Sequence, residues 1–417
     1  MDLPMSAPIS PSGKSGPLTG LRIVELGHFI AAPFCTRILA DLGADVIKVE
    51  PPGGDPVRQW GRQVEGAGAP WWSMHARNKR VITLNLKKPE AIRLVLDLVR
   101  GADALVENFR PGQLARMGLG CEALEAARPG LVIAQISGYG QDGIYRDRAA
   151  FGVIGEAIGG LRYLTNHPPS VSDLPPTRVG VSIGDSIAGL YAAFGVMAAV
   201  WARDKGQGGD GRGRVLDVAL TESVLSMMEG TLPEYGAFGA VRQPTGSRIA
   251  TAAPSSAYPT SDGGWILVAG NSDPIFERLA GLMGQPELTT DPRYRGNARR
   301  VENVETLDAA IGAWTRKHTA ADLDRMMEEA DIPATLTYTA ADIARDEQFR
   351  ARGMVREVED PLFGTVLQAG IVPHVPDDPG AVRWTGPRIG QHTDAILSEL
   401  GLSAEEIARL KRDGVAA

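Results

Sequence analysis

Cysteine is scarce in this chain: Cys35 and Cys121 are the only two in 417 residues. That argues against a secreted disulfide framework and fits a reducing, cytoplasmic setting. No CxxC pair and no Cys/His spacing suited to zinc is present, so no metal is expected. There is no polybasic block. Lys+Arg number 43 against Asp+Glu 50, a formal net charge of −7, which disfavours nucleic acid and anionic membrane as partners. Long apolar runs are missing too. The longest uncharged run, Ser186–Ala202, is bracketed by Asp185 and Arg203 and falls short of the ~18–20 residues that span a bilayer. It reads as a buried helix. Residues 1–17, rich in Pro, Ser and Gly, lack the apolar core of a signal peptide and read as a flexible tail.

What is present is an ordinary globular composition, 43% hydrophobic and 22% charged, in a chain long enough for two cores. Strand and helix signals alternate up to about residue 229. Strands are expected at Leu21–Gly27, Asp45–Glu50, Val81–Leu86, Ala104–Phe109, Leu131–Ser137 and Arg214–Leu220. Helices are expected at Ala32–Leu42 and Pro89–Arg100, where Ile92, Val95, Leu96 and Val99 share one face. This rhythm predicts an α/β, doubly wound, Rossmann-like domain over 18–229. Residues 230–335 change character. A hairpin at Tyr258–Gly270 followed by helical stretches reads as a smaller α+β domain. Residues 336–417 read as strands at Gly353–Leu367 followed by helices at Thr393–Arg412, with no obvious partner of their own, and are expected to return to the large domain or to pack on another subunit.

Several short motifs invite chemistry. Gly138–Gly143 (GYGQDG) matches GxGxxG and follows a strand, but no apolar helix start comes after it. A close-approach loop is the simpler account than a dinucleotide site. Gly180–Gly184 spells GxSxG, yet the strand a nucleophile elbow needs is missing before it. His28 lies just beyond the first strand, where ligands gather in such sheets. Arg77, Asn78, Lys79 and Arg80, then Asn108, Phe109 and Arg110, then Arg116, bring cations and amides to strand ends, as a phosphorylated ligand would want. Asp185 opens the long apolar helix. As an N-cap it would be worth ~1 kcal/mol. As a carboxylate at the positive end of a helix it could also stay ionised and act as a nucleophile.

Taken in order, LRIVELGHFIAAPFCTRILADLGADVIKVEPPGGD, RNKRVITLNLKKPE, ADALVENFRPGQLARMGLG, ISGYGQDG and VSIGDSIAGLYAAFGVMAAV resemble the class III CoA-transferase family. Its members include formyl-CoA:oxalate and carnitine CoA-transferases. The resemblance extends from about Leu18 to Val415. It implies an interlocked, ring-like homodimer, and Asp185 as a nucleophile that carries CoA between carboxylic acids as an aspartyl thioester. Coenzyme A and acyl-CoA would be substrates, with no permanently bound cofactor. CoA contacts are implied at His28, Ile30, Ala31, Arg77, Asn78, Lys79, Asn108, Phe109, Arg110, Arg116 and Tyr139. The oxalate enzymes carry a Gln where Ile30 stands and a Tyr-Glu pair where Phe151-Gly152 stands. The block Phe151–Thr165 instead resembles the branch that moves CoA from succinyl-CoA to small dicarboxylic acids. A second carboxylate would want an arginine, and Arg148, Arg178 and Arg248 are the candidates, with Phe151 lining the site. The alternative is a 2-methylacyl-CoA racemase of the same fold, which needs a histidine base where this chain has Phe151.

Overall fold

In the computed structural model, residues 16–417 are described apart from 67 and 207–210. The expected N-terminal tail, residues 1–17, lies almost wholly outside them. The chain divides into two compact units. One comprises residues up to Leu161, Val179–Glu229 and Glu347–Ala417; the other comprises Arg162–Arg178 and Gly230–Asp346.

The first unit is built on a six-stranded parallel sheet: β1 Arg22–Glu25, β2 Asp45–Glu50, β3 Lys79–Thr83, β4 Ala104–Glu107, β5 Val132–Ser137 and β6 Val215–Ala219. The spatial order is β3-β2-β1-β4-β5-β6, the doubly wound arrangement that the sequence predicts. Its switch point lies between β1 and β4, where such sheets bind ligands at their carboxyl ends. β1 to β5 are largely buried on both faces, which explains their nearly continuous Val, Ile and Leu runs.

The two faces carry separate cores. On one, α1 (Ala31–Asp41) packs against α4 (Ile183–Asp204). The buried side of α4 is small, with Ala188, Gly189, Ala192, Ala193 and Val196, so the two helices approach closely. On the other face, α2 (Pro89–Arg100) presents Leu94, Val95, Leu98 and Val99 to the sheet. A short helix, α3 (Gly152–Ile158), abuts the start of α4. By length and composition α4 is the one described helix that could cross a membrane; its inner face is packed into this core. The long helix begins at Ile183 with Ser182 as N-cap. Asp185 is therefore not the cap that the sequence suggests but the third helical residue.

The second unit has an antiparallel sheet, β7 Ser255–Pro259, β8 Trp265–Ala269 and β9 Ala334–Leu336, ordered β7-β8-β9. Helices α5 (Asp273–Leu282), α6 (Val304–Thr315) and α7 (Ala320–Glu329) cover it around Phe276, Leu279, Leu307, Ile311 and Leu323. This is an α+β body, but it runs on to Asp346 rather than stopping at 335, and it takes in 162–178. The remaining chain returns to the first unit. A hairpin, β10 Val355–Asp360 and β11 Gly364–Ala369, leads to α8 (Thr393–Glu399) and α9 (Ala404–Arg412). Ile396, Leu397, Ile407 and Leu410 join the core beneath α2.

Candidate active site

Three segments converge at the carboxyl edge of β1. The first is the turn Gly27–Ala31. A Cβ on Gly189 would stand 2.6 Å from the Ala31 carbonyl oxygen, so glycine at this crossing lets the first turns of α4 close on that turn. The second is Asp185, one helical turn before Gly189. The third is Phe151-Gly152 at the start of α3. A Cβ on Gly152 would stand 2.1 Å from Asp185 Oδ2, and one on Gly184 would stand 2.7 Å from the Gly152 carbonyl oxygen. The Asp185 carboxylate thus occupies space that any other residue at 152 would fill.

Aromatic rings border the same place. Phe29 lies edge-on to Phe151, with centroids 6.3 Å apart, and 5.0 Å from Trp60, which meets Trp71 at 5.8 Å. Phe151 is 66% exposed. These rings give the Asp185 carboxylate an apolar border.

A second cluster lies at the ends of β4 and β5. Both the Arg116 and the Arg146 guanidinium come within 3.3 Å of where a Cβ on Gly112 would stand. Arg110 is exposed nearby in sequence. Tyr139 meets Tyr145 edge-on at 5.6 Å, and the Arg148 guanidinium covers the Tyr145 ring at 3.8 Å. Converging guanidiniums suit a phosphorylated ligand. Sequence reading missed Arg146. Only the fold reveals it, because the left-handed turn at Gly112 (φ 74°) brings Arg116 back toward the loop after β5.

Other residues expected to touch the ligand are committed elsewhere. Arg77, Asn78 and Lys79 are buried at 0%, 1% and 0% exposure, not displayed at a strand end. Arg77 grips Asp41 through two nitrogens, at 2.9 and 2.6 Å, and donates to the Ala369 and Gly370 carbonyls. Asn78 donates to Asp41 and to the Ala381 carbonyl. Lys79 donates to Glu25 and to the Pro33 carbonyl. These side chains fasten the returning C-terminal segment and α1 to the sheet.

The Asn108 amide is spent on the main chain of His28, accepting from its N–H at 2.8 Å and donating to its carbonyl at 2.9 Å. Phe109 packs its ring edge-on against His28 at 5.1 Å. Burial, aided by the Lys48 charge, lowers the His28 pKa and keeps its imidazole neutral. Ile30 and Ala31 are buried, so contact there would be through main chain and the first turn of α1. Of the arginine candidates, Arg148 lies in the first unit. Arg178 is exposed in the second. Arg248 lines a cavity of about 500 Å³ within the second unit, together with His167, Tyr258 and Arg316. Its Nε faces Asp308 at 3.6 Å.

The glycine-rich loop Gly138–Gly143 is a close-approach element: a Cβ on Gly138 would stand 2.3 Å from the Ala150 Cβ. Among the described residues, no three His, Cys, Asp or Glu side chains gather as a metal site would need.

The sequence profile of CoA-transferase family III matches residues 18–393. The chain belongs to that family. This transferase is 47% identical over 397 residues to the succinyl-CoA–D-citramalate CoA-transferase of Chloroflexus aurantiacus, covering 95% of this chain and 97% of that one. It is 36% identical to the alpha subunit of succinyl-CoA–L-malate CoA-transferase from Chloroflexus aurantiacus, covering 98% and 95%. Among solved structures, a CAIB/BAIF family protein from Brucella suis superposes with a TM-score of 0.80 at 34% identity, covering 93% of this chain and all of that one. The transferase is therefore an enzyme acting on CoA thioesters.

Proposed function

We propose that the transferase takes CoA from succinyl-CoA and gives it to a small dicarboxylic acid by way of Asp185. The observation that carries this reading is the seating of the Asp185 carboxylate in the space left by Gly152, beside an apolar wall. The names of the relatives support the donor and the class of acceptor.

The Asp185 carboxylate attacks the thioester carbonyl of the donor, and the C–S bond breaks to give a mixed anhydride and CoA thiolate. The thiolate attacks the Asp185 acyl carbon, forming the aspartyl thioester and releasing succinate. The acceptor carboxylate attacks that thioester, giving a second anhydride and thiolate. The thiolate then attacks the acceptor's acyl carbon and restores Asp185. No net proton moves, so no general acid is required. What the site must supply is alignment and the exclusion of water.

The Arg116–Arg146 pair with Tyr139 is suited to the phosphates and base of CoA. Arg148, in the same unit as Asp185, is the candidate for the distal carboxylate of the acceptor. Self-association fits the exposed stripe of α4, where Leu190, Phe194 and Trp201 are 51%, 72% and 61% exposed. An interlocked homodimer in the cytoplasm is the form proposed.

The test gives purified protein succinyl-CoA with a mixture of dicarboxylic acids and follows new thioesters by mass spectrometry. A new acyl-CoA is expected, with its rate falling about 10³-fold or more in Asp185→Ala. Intact protein held with donor alone should gain the mass of CoA less water. Undiminished transfer by Asp185→Ala would refute the role of Asp185. Exchange of an α-proton without transfer would favour the racemase.

A further inference from the structure

The turn that opens the site is held in a conformation its sequence does not favour. Phe29 has φ 60°, the left-handed region that strains a non-glycine residue. Four main-chain groups around it are gripped by three side chains. Lys48 Nζ donates to the Gly27 carbonyl at 2.8 Å. Asn108 takes the His28 N–H and carbonyl. Asp55 Oδ1 accepts the Phe29 N–H at 3.2 Å, and also the Val57 N–H at 2.9 Å. Asp55 Oδ2 faces Lys48 Nζ at 2.8 Å, and that ammonium also reaches Glu25 at 2.6 Å. Lys48, Asp55 and Glu25 are at most 1% exposed.

The balance of charge here is close. Burial alone would strip the proton from Lys48, but Asp55 and Glu25 beside it reverse that and hold its pKa above the ordinary lysine value. Lys79, on the far oxygen of Glu25, is pulled by burial down to about 8. Glu25, Asp55, Lys48 and Lys79 together sum to zero.

The geometry points to Asp55 as a positioning residue that, with Lys48, holds the Gly27–Ala31 turn in the shape that receives acyl-CoA. This rests on the CoA-transfer reading. Asp55 does not touch the reacting atoms. It fixes the one strained amide, and through it the Phe29 ring that stands against Phe151 beside Asp185. The physical requirement is for two acceptor faces. One carboxylate oxygen meets main-chain N–H groups and the other meets an ammonium. Asparagine has the same shape but one acceptor face only. If its oxygen turns to Lys48, its NH₂ confronts the Phe29 and Val57 N–H groups, and the turn loses its anchor.

The probe is Asp55→Asn, with the pair Lys48→Met/Asp55→Asn as its control. In the pair the competing ammonium is gone, the asparagine oxygen is free for the Phe29 N–H, and the buried charge again sums to zero. CoA affinity is read by calorimetry, KM separately for acyl-CoA and for the acid, and folding by circular dichroism and Tm. Asp55→Asn should weaken CoA and raise KM for acyl-CoA by about 10-fold, with KM for the acid moving less than about twofold. The pair keeps the Phe29 anchor but gives up the Lys48 bond to the Gly27 carbonyl, so it should bind CoA at least about threefold more tightly than Asp55→Asn without reaching the wild type. Folded Asp55→Asn with wild-type CoA affinity, whatever its Tm, would overturn the proposal by making the role purely structural. So would a pair as weak as the single variant. If Asp55→Asn does not fold, the pair alone decides: CoA affinity within about 10-fold of the wild type supports the proposal, and a larger loss overturns it. Wild-type protein that binds no CoA would sink both this proposal and the CoA-transfer reading, and that result is seen before any variant is made.

Discussion

Gly152→Ala is the sharpest test of the site's geometry. The added methyl would stand 2.1 Å from Asp185 Oδ2 and 2.7 Å from its Cγ. Ordinary carbon–oxygen contact begins near 3.4 Å, so the carboxylate must retreat by about 1.3 Å or turn to another rotamer. A misplacement of about 1 Å in a group that attacks in line costs about 10²-fold in rate. The φ of residue 152 adds nothing to this loss, although the methyl would also stand 3.2 Å from the Asp185 backbone nitrogen. Gly152 has no positive φ, and it is the first residue of α3. Alanine there should favour the helix by up to about 1 kcal/mol. The variant should therefore keep or raise its Tm while kcat falls roughly 100-fold, with KM for acyl-CoA nearly unchanged. Rapid-quench formation of the covalent CoA adduct, set beside a thermal melt, separates the two effects. A variant with full kcat would refute the placement of Asp185 at the reacting centre. A lowered Tm with a matching loss of active fraction would reduce Gly152 to a packing residue.

Three further outcomes follow from other parts of the molecule. Glu107 is 3% exposed, and burial raises its pKa to about 7 despite N–H donors from Phe109 and Gln135. Its unfolded value is near 4.5. The folded state therefore holds the extra proton, and stability is fully present below about pH 4.5 and is lost as pH rises to about 7, by roughly 2–3 kcal/mol. Glu107→Gln should flatten that slope in denaturant titrations from pH 4.5 to 8, and an unchanged slope would remove Glu107 as its source. Arg116→Ala or Arg146→Ala should raise KM for acyl-CoA by about 10-fold or more, with kcat nearly kept and a shallower dependence of KM on salt. An equal loss with both substrates would argue against a phosphate contact. Phe194→Ser, on the exposed stripe of α4, should shift the protein toward monomer in sedimentation, and a wild type that is monomeric at micromolar concentration would refute the dimer.

Much of the fold is legible because the physics is local. In the parallel sheet, β1 to β5 are buried on both faces, so apolar stretches such as Ala104–Val106 and Val132–Ala134 announce themselves. The 3.6-residue period marks Pro89–Arg100 to the residue. Asp185 stands out once the segment around it resembles a known family, but the sequence makes it a helix cap. The structure seats it two residues past Ile183, where the helix begins, and Ser182 takes the cap. Residues 162–178 could not be assigned in advance to the second unit. That segment has no periodic pattern, and its place depends on contacts such as Gly246 N–H to the Asn166 carbonyl, far away in the chain.

The cationic residues show why site reading from sequence runs past the evidence. At the end of a strand, an Arg-Asn-Lys run reads equally well as a phosphate cradle or as buried fastening, because charge and spacing are the same in both. What separates them is whether carboxylates and carbonyls from elsewhere reach the run first. Asp41 and Glu25 do so for Arg77, Asn78 and Lys79, and the carbonyls of Ala369, Gly370 and Ala381 complete the fastening. A guanidinium committed to a buried carboxylate is not available to a ligand without leaving that carboxylate unpaired, at a cost of about 3–5 kcal/mol. Arg116 and Arg146 are less committed: the carboxylate on Arg146 is that of Asp147, at 3.3 Å and exposed, where an incoming anion can compete with it. They converge at an open edge over a glycine, and two like charges brought together there gain from an incoming anion. The same reasoning gives Asn108 a different part from the one its motif suggests. Its amide, turned inward onto His28, shapes the surface that a ligand meets.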